Sequence, residues 1–276
     1  MQISVLSGKG GTGKTTIATN LAVIMGGYYV DCDVEEPNGF IFLKPNISKS
    51  KDVSIPTPQI DYTKCTLCKK CVQVCQFNAL GIAGNQVLVF EKLCHGCGAC
   101  LLACPDGAIS EKERAIGKID AGQSGELKCL QGVLNVGEPM AGPIIRDLKE
   151  MVKEESSLID CSPGSSCNVV KAISGAHYAI LVTEPTAFGL HDLKIAVELV
   201  RKLKLPFGLI INRGNDDNRM IIDYCEKEKI RLLGVIPFDR KVAEIYSRGN
   251  LLIEDEHYRE LFEELADNIR EVVRCS

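Results

Sequence analysis

The sequence predicts an α/β fold: a doubly wound, mostly parallel sheet, interrupted once by a small α+β unit. Three observations carry this expectation. The chain opens on strand, glycine-rich loop and helix. Short apolar runs then alternate with helix-period segments to the C-terminus, the pattern of a parallel sheet covered on both faces. Between them, eight cysteines from Cys65 to Cys104 form two copies of CxxCxxCxxxC, set 29 positions apart.

Ile3–Leu6 is the first short strand, Ser7–Gly13 the loop, and Lys14–Met25 carries Ile17, Leu21 and Ile24 at helical spacing. Tyr28–Asp33 is apolar again. Near Pro56 and Pro58, which punctuate its entry, the texture changes to the cysteine repeat, which runs to Ser110. Ala79-Leu80 recurs as Ala108-Ile109, so the repeat extends beyond the cysteines and implies two related halves. Ile116–Val136, rich in glycine, reads as a pair of antiparallel strands. A helix begins at Pro143, a residue tolerated in a first turn, and runs to Glu154. Strands follow at Leu158–Asp160, Ala179–Thr183, Phe207–Asn212 and Leu232–Ile236, as short apolar runs suited to buried parallel strands. Helices fill Cys167–Ser174, Leu190–Lys204, Asn218–Lys229, Lys241–Arg248 and His257–Arg274. The expected division is a discontinuous unit over 1–58 and 111–276 with a second unit, 59–110, inserted after the second strand.

Composition sets the remaining bounds. A chain of 276 residues with 45% hydrophobic and 25% charged residues is ordinary for a globular protein and buries a substantial core. A formal charge of -4 without a run of Lys or Arg argues against nucleic-acid binding. The N-terminus lacks a basic region followed by an apolar stretch, and the cysteines cluster at ligand spacing, so a reducing cytoplasm is the expected location. From Glu254 to Ser276 eight acidic residues oppose three arginines, which disfavours stable membrane association; the stripe Tyr258, Leu261, Phe262, Leu265, Ile269, Val272 is expected to pack on the sheet.

Gly8–Thr15, GKGGTGKT, fits the template GxxxxGK followed by Ser or Thr. Its glycines let backbone N–H groups curl around phosphate oxygens, and the helix that follows offers its positive N-terminus. Gly8, Gly10, Gly11, Thr12, Gly13, Lys14, Thr15 and Thr16 are the expected cradle. Lys14 is expected to neutralise the β- and γ-phosphates and Thr15 to supply a hydroxyl to Mg²⁺. With Lys9, the run Lys9-Gly10-Gly11-Thr12-Gly13-Lys14-Thr15 resembles the KGGxGKT hallmark of the MinD/ParA family of deviant phosphate-loop ATPases, which includes the nitrogenase iron protein.

That resemblance implies an ATP-dependent homodimer in which Lys9 reaches the partner's nucleotide. It implies that Asp33, closing Asp31-Cys32-Asp33, positions or activates the attacking water. Asp160-Cys161-Ser162-Pro163-Gly164 is similar to the family's DxxPG, so Asp160 is expected to hold Mg²⁺ through water and Gly164 to sense the γ-phosphate. Asn212 resembles the adenine-reading Asn, and Pro237 and Phe238 the segment flanking the base. For Asp31 a structural role stands beside chemistry, and for Asn212 and Pro237 a plain turn role stands beside binding.

The two cysteine runs resemble the two-cluster bacterial ferredoxins, in which the fourth cysteine of each run ligates the other cluster. The resemblance implies one 4Fe-4S cluster on Cys65, Cys68, Cys71 and Cys104, and another on Cys94, Cys97, Cys100 and Cys75. Zinc is the competing metal, since CxxC pairs also make tetrahedral sites; interleaved triplets with a tail cysteine favour cubanes. One departure is visible: Pro105 follows Cys104, whereas Gln76 follows Cys75. Each loaded cluster adds roughly -2 of charge, which suggests a redox partner with a basic patch. Cys32, Cys161 and Cys167 lie beside the nucleotide motifs; small packed residues are the expectation, and a cluster shared between subunits is the alternative. Cys129, Cys225 and Cys275 are read as packing residues.

Together these readings point to an iron–sulfur ATPase that couples nucleotide-driven dimer changes to electron transfer. The alternatives are a MinD/ParA-like spatial organiser with redox sensing and an iron–sulfur cluster carrier.

Overall fold

Strands and helices alternate through a computed structural model that describes residues 1–215 and 217–275, with Cys275 through its backbone alone. In chain order the elements are β1 (Gln2–Leu6), α1 (Lys14–Met25), β2 (Tyr28–Asp31), α2 (Gly39–Leu43), β3 (Asn46–Ile60), α3 (Lys70–Val74), β4 (Leu80–Ala83) and β5 (Gln86–Val89). Next come α4 (Ala99–Ala103), β6 (Ile109–Ser124), β7 (Leu127–Leu134), α5 (Gly142–Met151), β8 (Ser157–Asp160), α6 (Cys167–Ile173) and β9 (Tyr178–Thr183). The chain closes with α7 (Ala187–Lys202), β10 (Phe207–Gly214), α8 (Arg219–Glu228), β11 (Arg231–Pro237), α9 (Arg240–Ser247) and α10 (Glu256–Cys275).

Nine strands make one sheet in the order β11-β10-β9-β1-β8-β2-β7-β6-β3. The pairings from β11 to β7 are parallel, and β6 and β3 add antiparallel strands at one edge. Because strand side chains alternate, one strand feeds two layers. On β9, Tyr178, Ile180 and Val182 enter the core under α1 and α10, whereas Ala179 and Leu181 enter the core with residues of α5 to α8. The stripe on α10 packs inward through Tyr258, Phe262, Leu265 and Ile269. Among the described residues no helix is long and apolar enough to cross a membrane.

The expected antiparallel pair over 116–136 is present, but β6 starts at Ile109 and pairs with β3 from Asn46↔Gln123 to Ile60↔Ile109. Pro56 and Pro58 therefore lie inside a strand instead of punctuating a loop. An edge strand tolerates them, since one side needs no N–H donors. The outer part of this ribbon runs past β7 and carries the cysteine segment, with its own two-stranded sheet, β4-β5, between the two cysteine runs. At the point of departure the register slips: Val53 faces Gly117 and Ser54 faces Ala115, leaving Ile116 as a bulge.

Candidate functional site: a phosphate loop and two cysteine-lined cavities

β1 delivers the chain into the loop, and α1 leaves it at Lys14. Gly11 and Gly13 have φ of +78° and +84°, a region where side chains are strained. The Lys14 ammonium lies 2.9 Å from Asp160 Oδ1, with only 6% of Lys14 and none of Asp160 exposed. Burial pulls the lysine pKa down, but the charge and hydrogen bond of Asp160 more than offset this, so Lys14 stays charged. Asp31 and Asp160 face each other in register on β2 and β8. The Tyr29 hydroxyl stands 3.1 Å from Asp160 Oδ2 and 3.3 Å from Asp31 Oδ2, and its single proton serves one carboxylate at a time. Burial first, then the charge of Asp160, pushes the Asp31 carboxyl up to about 8. Asp31 also accepts from the Asp33 and Gly39 N–H groups, at 3.1 and 3.0 Å. Its role is thus to brace the turn that presents Asp33.

A cleft of about 1260 Å³ opens over the loop, lined by Lys9, Gly10 to Thr16, Asp33, Asn212, Pro237 and Phe238. Gly8, Gly164 and Asp160 do not line it. Gly8 packs against the Asp192 backbone, and the Gly164 N–H donates to Ser7 O at 2.8 Å. A phosphate sensed by Gly164 has to displace that bond. Asp33 is half-buried; burial raises its carboxyl pKa, and the charge of Lys14 and the Ser162 hydroxyl pull it partly back. Asn212 Nδ2 donates to Thr12 O at 2.7 Å, bracing the loop. Lys9 Nζ lies 2.5 Å from Glu184 Oε1, and Arg213 holds the other oxygen at 3.1 Å.

The cysteine segment forms two cavities of nearly equal size. Cys65, Cys68, Cys71 and Cys104 line the first; Cys94, Cys97, Cys100 and Cys75 line the second. The backbone repeats as the sequence does. Leu67, Lys69 and Asn78 take φ of +57°, +66° and +53°, and 29 positions on, Gly96, Gly98 and Gly107 take +64°, +72° and +58°. Amides also turn toward sulfur in both halves: Ala79 N donates to Cys75 Sγ at 3.3 Å and Ala108 N to Cys104 Sγ at 3.2 Å. Such donors stabilise thiolate, the form that binds metal. Among the described residues no three His, Cys, Asp or Glu side chains converge on one ion. Each set of four cysteines lines its own cavity, and four thiols are a donor set that suits an iron–sulfur cluster.

Of the other cysteines, Cys32 and Cys161 are wholly buried in the core with α5 to α8, so a surface-shared cluster loses both; Cys167 is exposed. Cys129 and Cys225 are core residues, and the Cys275 side chain lies outside the described residues. Sequence reasoning missed Tyr29, Glu184 and Arg213, which no motif marks, and Phe77, whose ring stacks on His95 at 3.7 Å beside the second cavity. The α/β sheet, the loop and the buried Lys14–Asp160 pair define a phosphate-loop nucleotide-binding protein with a cysteine-rich insert.

A family model for the CobQ/CobB/MinD/ParA nucleotide binding domain matches residues 3–253, and the chain belongs to that family. It is 32% identical to an uncharacterised protein of Methanocaldococcus jannaschii, over 97% of each chain. It is 23% identical to an iron–sulfur cluster carrier protein of Pyrococcus horikoshii, over 97% of this chain and 85% of that one. The structure of the septum site-determining protein MinD of P. horikoshii, complexed with Mg-ADP, matches with a TM-score of 0.62 at 22% identity, covering 98% of this chain and 96% of that chain.

Proposed function

We propose that this ATPase couples ATP binding and hydrolysis, through association of two copies, to electron transfer over two 4Fe-4S clusters. Lys14 and the loop amides take the phosphates, Thr15 and Asp160 serve Mg²⁺, Asp33 orients the attacking water, and Asn212, Pro237 and Phe238 flank the base. Cys65, Cys68, Cys71 and Cys104 hold one cluster, and Cys94, Cys97, Cys100 and Cys75 the other, within an inserted unit over 59–110. The observation that carries the reading is the crossed grouping of cysteines around two cavities, on a ribbon that continues the sheet carrying Asp33. The spacing favours cubanes over zinc, because interleaved triplets with a tail cysteine suit clusters that share ligands between the two runs.

The test is anaerobic purification followed by spectroscopic reduction of the clusters with ATP, with ADP and without nucleotide. Reduction level and potential should differ between the three; identical values sink the coupling. The relative named as a cluster carrier favours a second reading, delivery of a cluster to another protein. Having four ligands per cluster in one chain weighs against release, and ATP-dependent iron transfer to an apo-acceptor would decide for it.

A further inference from the structure

The two cavities are not equivalent in their relation to the ATPase. The first takes Ile60 and Ile109, the outermost cross-strand pair of the β3–β6 ribbon, into its wall. The second takes Pro56, Pro58 and Glu111, nearer the sheet, and the loop after Cys94 lies on the ribbon there. A side-chain carbon on Gly96 would stand 3.0 Å from Pro56 O and 3.4 Å from Ile55 Cβ, and Ile55 is the register partner of Arg114.

Arg114 and Glu138 form a buried ion pair at 2.5 Å, their side chains 13% and 6% exposed. Among the described residues Arg114 Nε and Nη2 and Glu138 Oε2 are buried with no hydrogen-bond partner, an arrangement that costs free energy. Glu138 belongs to the loop after β7, where its N–H donates to Asn135 O at 3.1 Å. Asn135 grips the bulge: its N–H donates to Ile116 O at 2.9 Å and its Nδ2 to Ala115 O at 3.3 Å. One residue back, Leu134 N donates to Val34 O at 2.8 Å, directly after Asp33. Hydrogen bonds and the chain itself thus connect the residue after Asp33, through Leu134 and Asn135, to the Arg114–Glu138 pair, which lies across the ribbon from Ile55, under the Gly96 loop.

We infer that the Cys94 set holds the ATPase-proximal cluster, that Arg114 clamped by Glu138 is the positioning residue that sets its potential, and that Asn135 is the joint through which nucleotide reaches it. This rests on the cluster reading above. A cation beside a cluster favours the reduced, more negative state, so the two charges of the pair should act with opposite sign.

The test is a redox titration of both clusters by electron paramagnetic resonance in the anaerobically purified full chain, with iron counted per chain. Signals are assigned by Cys68→Ser and Cys97→Ser, each of which alters one set. Arg114→Gln should lower the potential of the Cys94 set by about tenfold in its reduction equilibrium, about 59 mV for one electron. Glu138→Gln should raise it, Arg114→Lys should restore most of it, and the Cys65 set should stay within about twofold throughout. Asn135→Ala should leave the nucleotide-free potential unchanged and abolish its response to a non-hydrolysable ATP analogue with Mg²⁺. Equal shifts in both clusters, or shifts of one sign for Arg114→Gln and Glu138→Gln, overturn the assignment of Arg114. A nucleotide response retained in Asn135→Ala overturns the joint. Wild-type clusters indifferent to nucleotide sink both the joint and the coupling proposed above, while the sign test on Arg114 still decides its role.

Discussion

At the scale of single residues, the nucleotide site is a cluster of buried charge that the sequence half disclosed. Lys14 and Asp160 stand in motifs, but the proton-sharing between Asp160, Tyr29 and Asp31 depends on register between β2 and β8, which no local pattern encodes. Lys14→Ala leaves Asp160 buried without its cation and should destabilise the nucleotide-free protein by about 3 kcal/mol. Asp160→Asn in the same chain should recover part of that loss, a coupling that a double-mutant cycle in denaturant measures. Asp31 makes a pH prediction. Its folded value of about 8 lies above the ordinary 3.8, so the folded state holds a proton that the unfolded state has lost between those limits. Its stabilising contribution is therefore full below about pH 4 and is lost as pH rises through about 8. Asp31→Asn should flatten this dependence in thermal melts of the metal- and nucleotide-free protein; an unchanged slope would place the titration elsewhere.

At the scale of elements, the two cysteine runs solve one bending problem in two ways. Left-handed backbone at Leu67, Lys69 and Asn78 corresponds to glycine at 96, 98 and 107, so the first half carries strain that the second avoids. Lys69→Gly should raise the stability of the cluster-free chain by about 1 kcal/mol, since the left-handed penalty is of that order. Gly98→Ala, which meets Glu111 Oε1 only at 3.6 Å, should cost a similar amount. Gly96→Ala should cost more because Pro56 O stands at 3.0 Å, and the difference should show as lower iron retention on the Cys94 set. Element identity was largely legible. The loop, α1, the later strands and helices and the 29-residue repeat follow from periodicity and spacing. The long β3 did not, because Asn46–Ile60 carries lysines, serines and two prolines and gains its strand character only by pairing with β6. The Arg114–Glu138 pair escaped notice for a related reason: an isolated Arg and Glu, 24 positions apart, signal nothing until a fold buries them together.

At the scale of the whole molecule, the role proposed for Lys9 depends on a second copy. Within one chain Glu184 holds it at 2.5 Å, and Glu184 is kept ionised: burial pulls its carboxyl up, but Lys9 and Arg213 more than offset this. Freeing Lys9 for a partner's nucleotide requires breaking that pair. Glu184→Gln should therefore strengthen ATP-dependent self-association several-fold in analytical ultracentrifugation, whereas Lys9→Ala should abolish it. Equal association of Glu184→Gln and wild type with ATP would show that the pair restrains nothing.

The ribbon has one more consequence. Its last cross-strand partners, Ile60 and Ile109, stand side by side, so everything between them enters and leaves through a gate one strand-spacing wide. A stretch with adjoining ends is a cassette: a short reverse turn could take its place and leave an ordinary hairpin on the sheet edge. The same architecture would let a lineage gain, lose or exchange its cysteine module in one step without disturbing the nucleotide machinery beneath it.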